Sequence, residues 1–336
     1  MFPHRARLCS GRPSRRRSLL YASVASVVLV GATSSGTLYV KAQAHDGEGL
    51  VSSSVSRGAE ASSGATTAME ATVESSAVPT AAASSRTRPS PAVDRDALLA
   101  EAVKAVAVED GAAVSVAVLE VSSGESAVYG DGAFDTASIV KVDILASLLL
   151  RAQDAGRGLT AQEKTYAAAM IRNSDNASAT SLWTAIGQAK GLRAANDRFG
   201  LRDTEGGDGA LWGLTQTTAA DQLTLLRQVF GEKSELSEGS RAYLAGLMGE
   251  IAVGQDWGVS AAASGTGASE FALKNGWLPR SATGLWDINS MGRVSVGGRE
   301  YLVAVLSDGN SSKEKGVSVV EAVAKAAVAC FGAEGD

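Results

Sequence analysis

Polar and apolar positions change rhythm several times along the 336-residue chain. Six arginines and no acid fall in the first 18 residues, and a Val-, Ala- and Leu-rich run follows from Leu19 to about Val40. Between about His45 and Ala92 there is no hydrophobic period and no aromatic residue; Ser, Ala, Thr and Gly dominate. Such a segment buries too little apolar surface to fold and reads as a disordered linker. Periodicity begins near Val93. Leu98, Leu99, Val103 and Val106 lie at helical spacing and predict a helix over Asp94–Glu109. Ala112–Val121 has the Val-rich composition of a strand, Ser123-Gly124-Glu125 is a turn, and Ser126–Tyr129 reads as the hairpin partner.

After Asp135 a long helical region runs to about Val229, broken by Gly and Asp at 200–209. Phe271–Trp277, Gly284–Val296 and Glu300–Leu306 read as strands. Lys313–Phe331 reads as a closing helix with Val317, Val320, Val323, Ala324 and Val328 on one face. There is no internal repeat. Strands at both ends of the domain can pair in one antiparallel sheet. The expected class is therefore α+β: a five-stranded antiparallel sheet flanked by helices, with an all-helical insertion. The domain plan is 1–44 signal peptide or signal anchor, 45–92 linker and 93–336 folded domain.

Composition adds a location. A basic stretch followed by an apolar one is the pattern of an export signal, with the arginines left in the cytoplasm. Ala42-Gln43-Ala44 has the form of a cleavage site, and Ser14–Leu20 loosely resembles a twin-arginine signal. Left uncleaved, residues 19–40 are long enough to tether the chain to a membrane. Cys9 precedes the apolar run, so it is not placed as a lipoprotein cysteine. Either alternative puts the domain outside the cytoplasm, secreted or anchored to the outer face of the membrane. The chain carries a formal charge of −5, but beyond residue 44 there are 24 Lys and Arg against all 36 Asp and Glu. An acidic domain without basic runs argues against nucleic-acid binding.

The rare residues exclude mechanisms. The two histidines are His4 and His45, and the two cysteines Cys9 and Cys330. The domain thus has no histidine and one cysteine. It cannot run a Ser-His-Asp or Cys-His mechanism, nor build a His/Cys zinc site or a His-ligated haem. No cofactor or metal is implied, and nothing calls for more than a monomer.

Ser138-Ile139-Val140-Lys141 opens a stretch with Val142, Ile144, Leu145, Leu148 and Leu149 at core spacing. Positions i and i+3 share a helix face, so the Lys141 amine can reach the Ser138 hydroxyl. A lysine made neutral by burial can take the serine proton. A second Ser-x-x-Lys, Ser312–Lys315, falls in a polar segment and reads as surface. Ser174-Asp175-Asn176 lies between two helical stretches, where Ser174 or Asp175 can cap the second. Lys274-Asn275-Gly276 lies on a predicted strand before Trp277, with the alternative reading of an edge-strand lysine and a bulge glycine.

In this order the three motifs resemble those of the β-lactamase/penicillin-binding-protein superfamily, and look closest to its class A-like members. The resemblance covers about residues 94–332. It implies that Ser138 is the acylated nucleophile, Lys141 its proton acceptor and Ser174 the relay to the departing nitrogen. Asn176 would hold the substrate's amide side chain, and Lys274 would favour a substrate carboxylate. The backbone N–H groups of Ser138 and Trp277 would form the oxyanion hole. Two motifs match fully. In the third, Asn275 stands where the family has Thr or Ser, offering an amide to the carboxylate in place of a hydroxyl. Gly276 and Trp277 complete the substrate-binding set.

The family's Glu-x-x-Leu-Asn loop is missing. The segment Leu201–Leu214, before a helix capped near Thr217–Asp221, offers Glu205 and Asp208, which read as solvated carboxylates or as substitutes for the family's water-activating Glu. Arg280 reads as surface, Arg293 as a candidate second cation, and Asp143 and Glu163 as charges on solvated helix faces. The expected function is an exported, β-lactamase-like serine hydrolase acting on β-lactams or acyl-D-Ala amides. The alternatives are a D,D-peptidase-like cell-wall enzyme that binds a peptidoglycan stem peptide, and a non-catalytic binding module.

Overall fold

The computed structural model describes residues 93–265 and 270–332. The signal, the tether and the linker lie outside the described residues. In chain order the elements are α1 (Arg95–Lys104), β1 (Ala113–Glu120), β2 (Ser126–Tyr129), β3 (Phe134–Asp135), a 3-10 turn (Ala137–Ile139) and α2 (Val140–Asp154). Next come α3 (Ala161–Arg172), α4 (Asn176–Ile186), α5 (Gln188–Phe199), β4 (Gln216–Thr217), α6 (Ala219–Phe230) and α7 (Glu238–Gly249). The chain closes with β5 (Phe271–Pro279), β6 (Trp286–Val296), β7 (Arg299–Asn310) and α8 (Lys313–Ala329).

Five strands form one antiparallel sheet in the order β2-β1-β7-β6-β5, so the first and last segments of the domain pair through β1 and β7. This is the predicted α+β fold. Strand residues alternate between faces, and both faces are covered. Val116, Val118, Tyr301, Val303 and Val305 pack with α1 and α8, while Ala117, Leu119, Leu302, Ala304 and Leu306 pack with the helical insertion. A sheet buried on both sides explains why β1 and β7 read as continuous apolar runs.

Helix α2 runs through the insertion. Val140 to Leu150 are all buried, which makes α2 a central helix with no polar face. The predicted first helix stops at Lys104, five residues early, and Asp94 caps it. The strands run longer than predicted at their C-terminal ends, to Pro279 and Asn310. Helix α7 and the β3–β4 pair were not anticipated. Ser312 of the second Ser-x-x-Lys caps α8 by accepting from the Lys315 N–H. Among the described residues no helix is long and apolar enough to cross a membrane.

Candidate active site

The nucleophile candidate sits at a strained corner. Ser138 is the middle residue of the 3-10 turn that feeds α2, and the residue before it, Ala137, has φ +47°. A side chain disfavours this region by about 1–3 kcal/mol, so the surroundings must enforce it. Three elements do so. Asn289 of β6, fully buried, donates to the Asp135 and Thr136 carbonyls and accepts from the Ser307 N–H. Thr136 N–H donates to the Thr215 carbonyl. Gly276 of edge strand β5 presses from the third side. A Cβ there would stand 2.7 Å from the Thr136 oxygen and 2.8 Å from the Ser138 nitrogen, both backbone atoms that cannot swing away.

The fold brings the first two motifs and Lys274 together. Lys141 Nζ lies 2.9 Å from Ser138 Oγ, 2.7 Å from the Ser174 carbonyl, 3.0 Å from Ser174 Oγ and 2.8 Å from Asn176 Oδ1. Ser174 reaches this position on the α3–α4 turn with φ +55°, while Asp175, not Ser174, caps α4. Lys274 Nζ approaches Ser174 Oγ from the sheet side at 3.0 Å and also donates to the Asn275 carbonyl at 2.8 Å.

Both amines are out of water, and their proton affinity reflects it. Burial pulls Lys141 down to about 7, with Asp175 opposing weakly. Burial, and then the charge of Lys141, press the Lys274 amine well below its ordinary value. A neutral amine has two hydrogens and one lone pair. The two shortest contacts of Lys141, to the Ser174 carbonyl and Asn176 Oδ1, take the hydrogens. The lone pair is then left facing the Ser138 hydroxyl, which is the state that can accept a proton.

Asn275 does not face the cleft as expected. Its Nδ2 donates to the Gln255 carbonyl at 2.8 Å and the Trp257 carbonyl at 2.9 Å. Both amide hydrogens are therefore spent, and its Oδ1 is buried without a partner. Gln255 in turn donates from Nε2 to the Asn173 carbonyl. The 255–257 segment thus straps β5 to the residue before Ser174.

The 201–216 loop forms the opposite wall. Glu205 and Asp208 are exposed, and neither lines the cleft. Glu205 exchanges backbone hydrogen bonds with Gln216, and its neighbour Gly207 has no space for a Cβ against the Leu211 carbonyl. The residues turned to the cleft are Ala210, Leu211, Trp212, Gly213 and Leu214. Lys141 Nζ lies 4.9 Å from the centre of the Trp212 ring.

The cleft has a volume of about 620 Å³ and is also bounded by Ser138, Asn176, Thr180, Trp277 and Arg280. A hollow of about 730 Å³ beside Arg193, Arg202 and Glu205 contains none of the motif residues. Arg280, read as surface, is a cleft residue whose guanidinium is paired with Asp135 and Asp287. Arg293, read as a candidate second cation, instead pairs with Glu300 and lies over the Phe230 ring. Asp143 is not solvated: it is 1% exposed beneath the site, and burial raises it to about 7. Glu163 closes the capping box of α3 with Thr160 and pairs with Arg157. The described residues include no cluster suited to a metal ion.

The model of the beta-lactamase enzyme family matches residues 153–331, just over half the chain, from the end of α2 through α8. The fold is similar to that of PBP-A (TM-score 0.60, 20% identity, covering 70% of this chain and 96% of that one). It is also similar to the TLA-1 extended spectrum beta-lactamase (TM-score 0.60, 16% identity, 70% and 98%). A class A beta-lactamase from Bacteroides cellulosilyticus is alike to the same degree (TM-score 0.59, 16% identity, 71% and 99%). A mutant of PBP-A with this fold has been solved as an acyl-enzyme complex with penicillin G (TM-score 0.59, 21% identity, 70% and 96%). No curated protein sequence matches the chain.

Proposed function

The chain belongs to the beta-lactamase enzyme family, and from that premise we propose that it is an exported serine enzyme acylated at Ser138 by β-lactams or acyl-D-Ala amides. The observation that carries the reading is the shared network in which Lys141 Nζ touches both Ser138 Oγ and Ser174 Oγ. Neutral Lys141 takes the Ser138 proton as Oγ attacks the amide carbonyl carbon. The carbonyl oxygen becomes the oxyanion, beside the backbone N–H groups of Ser138 and Trp277. As the C–N bond breaks, the nitrogen takes the Ser174 proton, and Lys141 returns its own to Ser174. The products are an ester on Ser138, a free amine and a neutral Lys141. No histidine is needed, and none is present beyond residue 45.

The D,D-peptidase-like reading is favoured over rapid β-lactam hydrolysis by one observation: no carboxylate of the 201–216 loop lines the cleft. The N-terminal sequence pattern, six arginines followed by an apolar run, supports action at the cell surface on a peptidoglycan stem peptide. The test is mass spectrometry of the full chain with benzylpenicillin, the ligand seen in the PBP-A acyl-enzyme. The expected result is a long-lived adduct on Ser138. A transient adduct with accumulating product would favour the β-lactamase reading. No adduct with benzylpenicillin or an acyl-D-Ala ester would overturn the covalent reading, and a tagged chain recovered only from cytoplasm would overturn export.

A further inference from the structure

The Lys141 side chain is fully buried and its amine is closely surrounded. Four oxygens belonging to Ser138, Ser174 and Asn176 lie within 3.0 Å of Nζ, and the Trp212 ring stands 4.9 Å away. The ring is held from both ends. Its Nε1–H donates to Thr180 Oγ1 on α4 at 3.1 Å, and its backbone carbonyl accepts from the Thr215 hydroxyl at 2.8 Å. Thr215 is fully buried and also accepts from the Gly207 N–H, which fixes the two arms of the loop to each other. The Trp183 indole, fully buried, donates to the Gly209 carbonyl at 2.7 Å and pins the segment just before the tip.

We propose that Trp212 is a positioning residue that keeps water away from Lys141 and so prolongs the life of the ester on Ser138. The proposal rests on the acyl-enzyme reading above. Hydrolysis needs a water molecule whose oxygen bonds to the ester carbon. Its proton passes to neutral Lys141, the C–Oγ bond breaks, and Lys141 hands the proton to Ser138 Oγ, leaving a free carboxylic acid. That water must reach Nζ from the cleft, and the indole lines the cleft 4.9 Å from Nζ. An apolar cover that excludes water suppresses hydrolysis of a reactive intermediate.

The test follows the Ser138 adduct of benzylpenicillin on the full chain by mass spectrometry. Trp212→Ala is expected to raise the rate of adduct loss relative to adduct formation about tenfold, a barrier change of about 1.4 kcal/mol. The new loss rate should climb with pH, because only neutral Lys141 accepts the proton. The climb should centre above the value of about 7 that burial gives the parent amine, since the uncovered amine is less desolvated. Trp212→Phe, which keeps an aromatic cover, should restore most of the adduct lifetime. Thr180→Val, which frees the indole N–H, should fall between the two and carries the test should the alanine variant not fold. The proposal is overturned if the Trp212→Ala adduct, or with that variant unfolded the Thr180→Val adduct, lasts as long as the parent's. A parent chain that forms no Ser138 adduct defeats the function reading itself, and this inference with it.

Discussion

On one side of Ser138, the side chains of Lys141, Ser174, Asn176 and Lys274 form an unbroken polar network, with the two amines almost wholly out of water. On the other side, the 201–216 loop turns apolar groups and backbone to the cleft and sends Glu205 and Asp208 outward. The difference separates the two halves of acyl transfer. A buried amine touching two hydroxyls is equipped to make the ester. A wall without a base is not equipped to bring in the water that breaks it.

The comparison breaks most completely at the nucleophile. Ser138→Ala should abolish the benzylpenicillin adduct in an intact-mass spectrum. Lys141→Ala should slow adduct formation by about 10³-fold, within the usual contribution of a general base; an adduct forming at the parent rate would remove Lys141 from the mechanism. Next in size is pH. Because burial lowers Lys141 to about 7, adduct formation should rise about tenfold per unit at lower pH and level off above it. A profile still rising at pH 9 would mean that the amine is charged at neutrality.

Gly276→Ala tests the close approach that holds the polar side in place. Its Cβ would meet backbone at 2.7–3.0 Å, and the repacking should cost about 2 kcal/mol, or roughly 4–8 °C in Tm, with loss of acylation. Smallest is Asp143→Asn. Burial raises Asp143 to about 7, above the ~3.9 of an unfolded carboxyl. The native state therefore holds the extra proton between those values, and stability falls as pH climbs through that window. An amide carries no such penalty. It also keeps an oxygen to accept from Asn196 Nδ2, so the variant should gain about 1 kcal/mol above pH 7. The gain should shrink toward pH 4 in thermal melts. An equal gain at both pH values would mean that Asp143 ionises normally.

What could be read from the sequence was local. Ser138 and Lys141 are one helical turn apart, and Ser174 and Asn176 sit on one short connection, so spacing alone places each pair. Antiparallel order followed from the Val-rich runs at both ends. The groups that fix the site were not legible, because their partners are remote in sequence. Asn289 bonds residues more than 150 positions away, Arg280 meets Asp135 from 145 away, and Trp212 reaches Lys141 only through the loop's fold. Asp143 had a usable signal: it interrupts an apolar stretch, Ile139–Leu150, with no polar face to receive it. Asn275 had none, since nothing in the residue type says that two carbonyls eighteen and twenty positions earlier claim its amide.

That amide also constrains how the site can change. Replacing Asn275 by the family's threonine would leave the Gln255 and Trp257 carbonyls without their donor and release one end of the strap to Asn173. The exchange is not a single-residue step: positions 255, 257 and 275 are energetically coupled, and their substitutions should be non-additive. The third motif is thus locked in by its neighbours. A route back to a hydroxyl at that place begins with a redesigned loop, not with the strand.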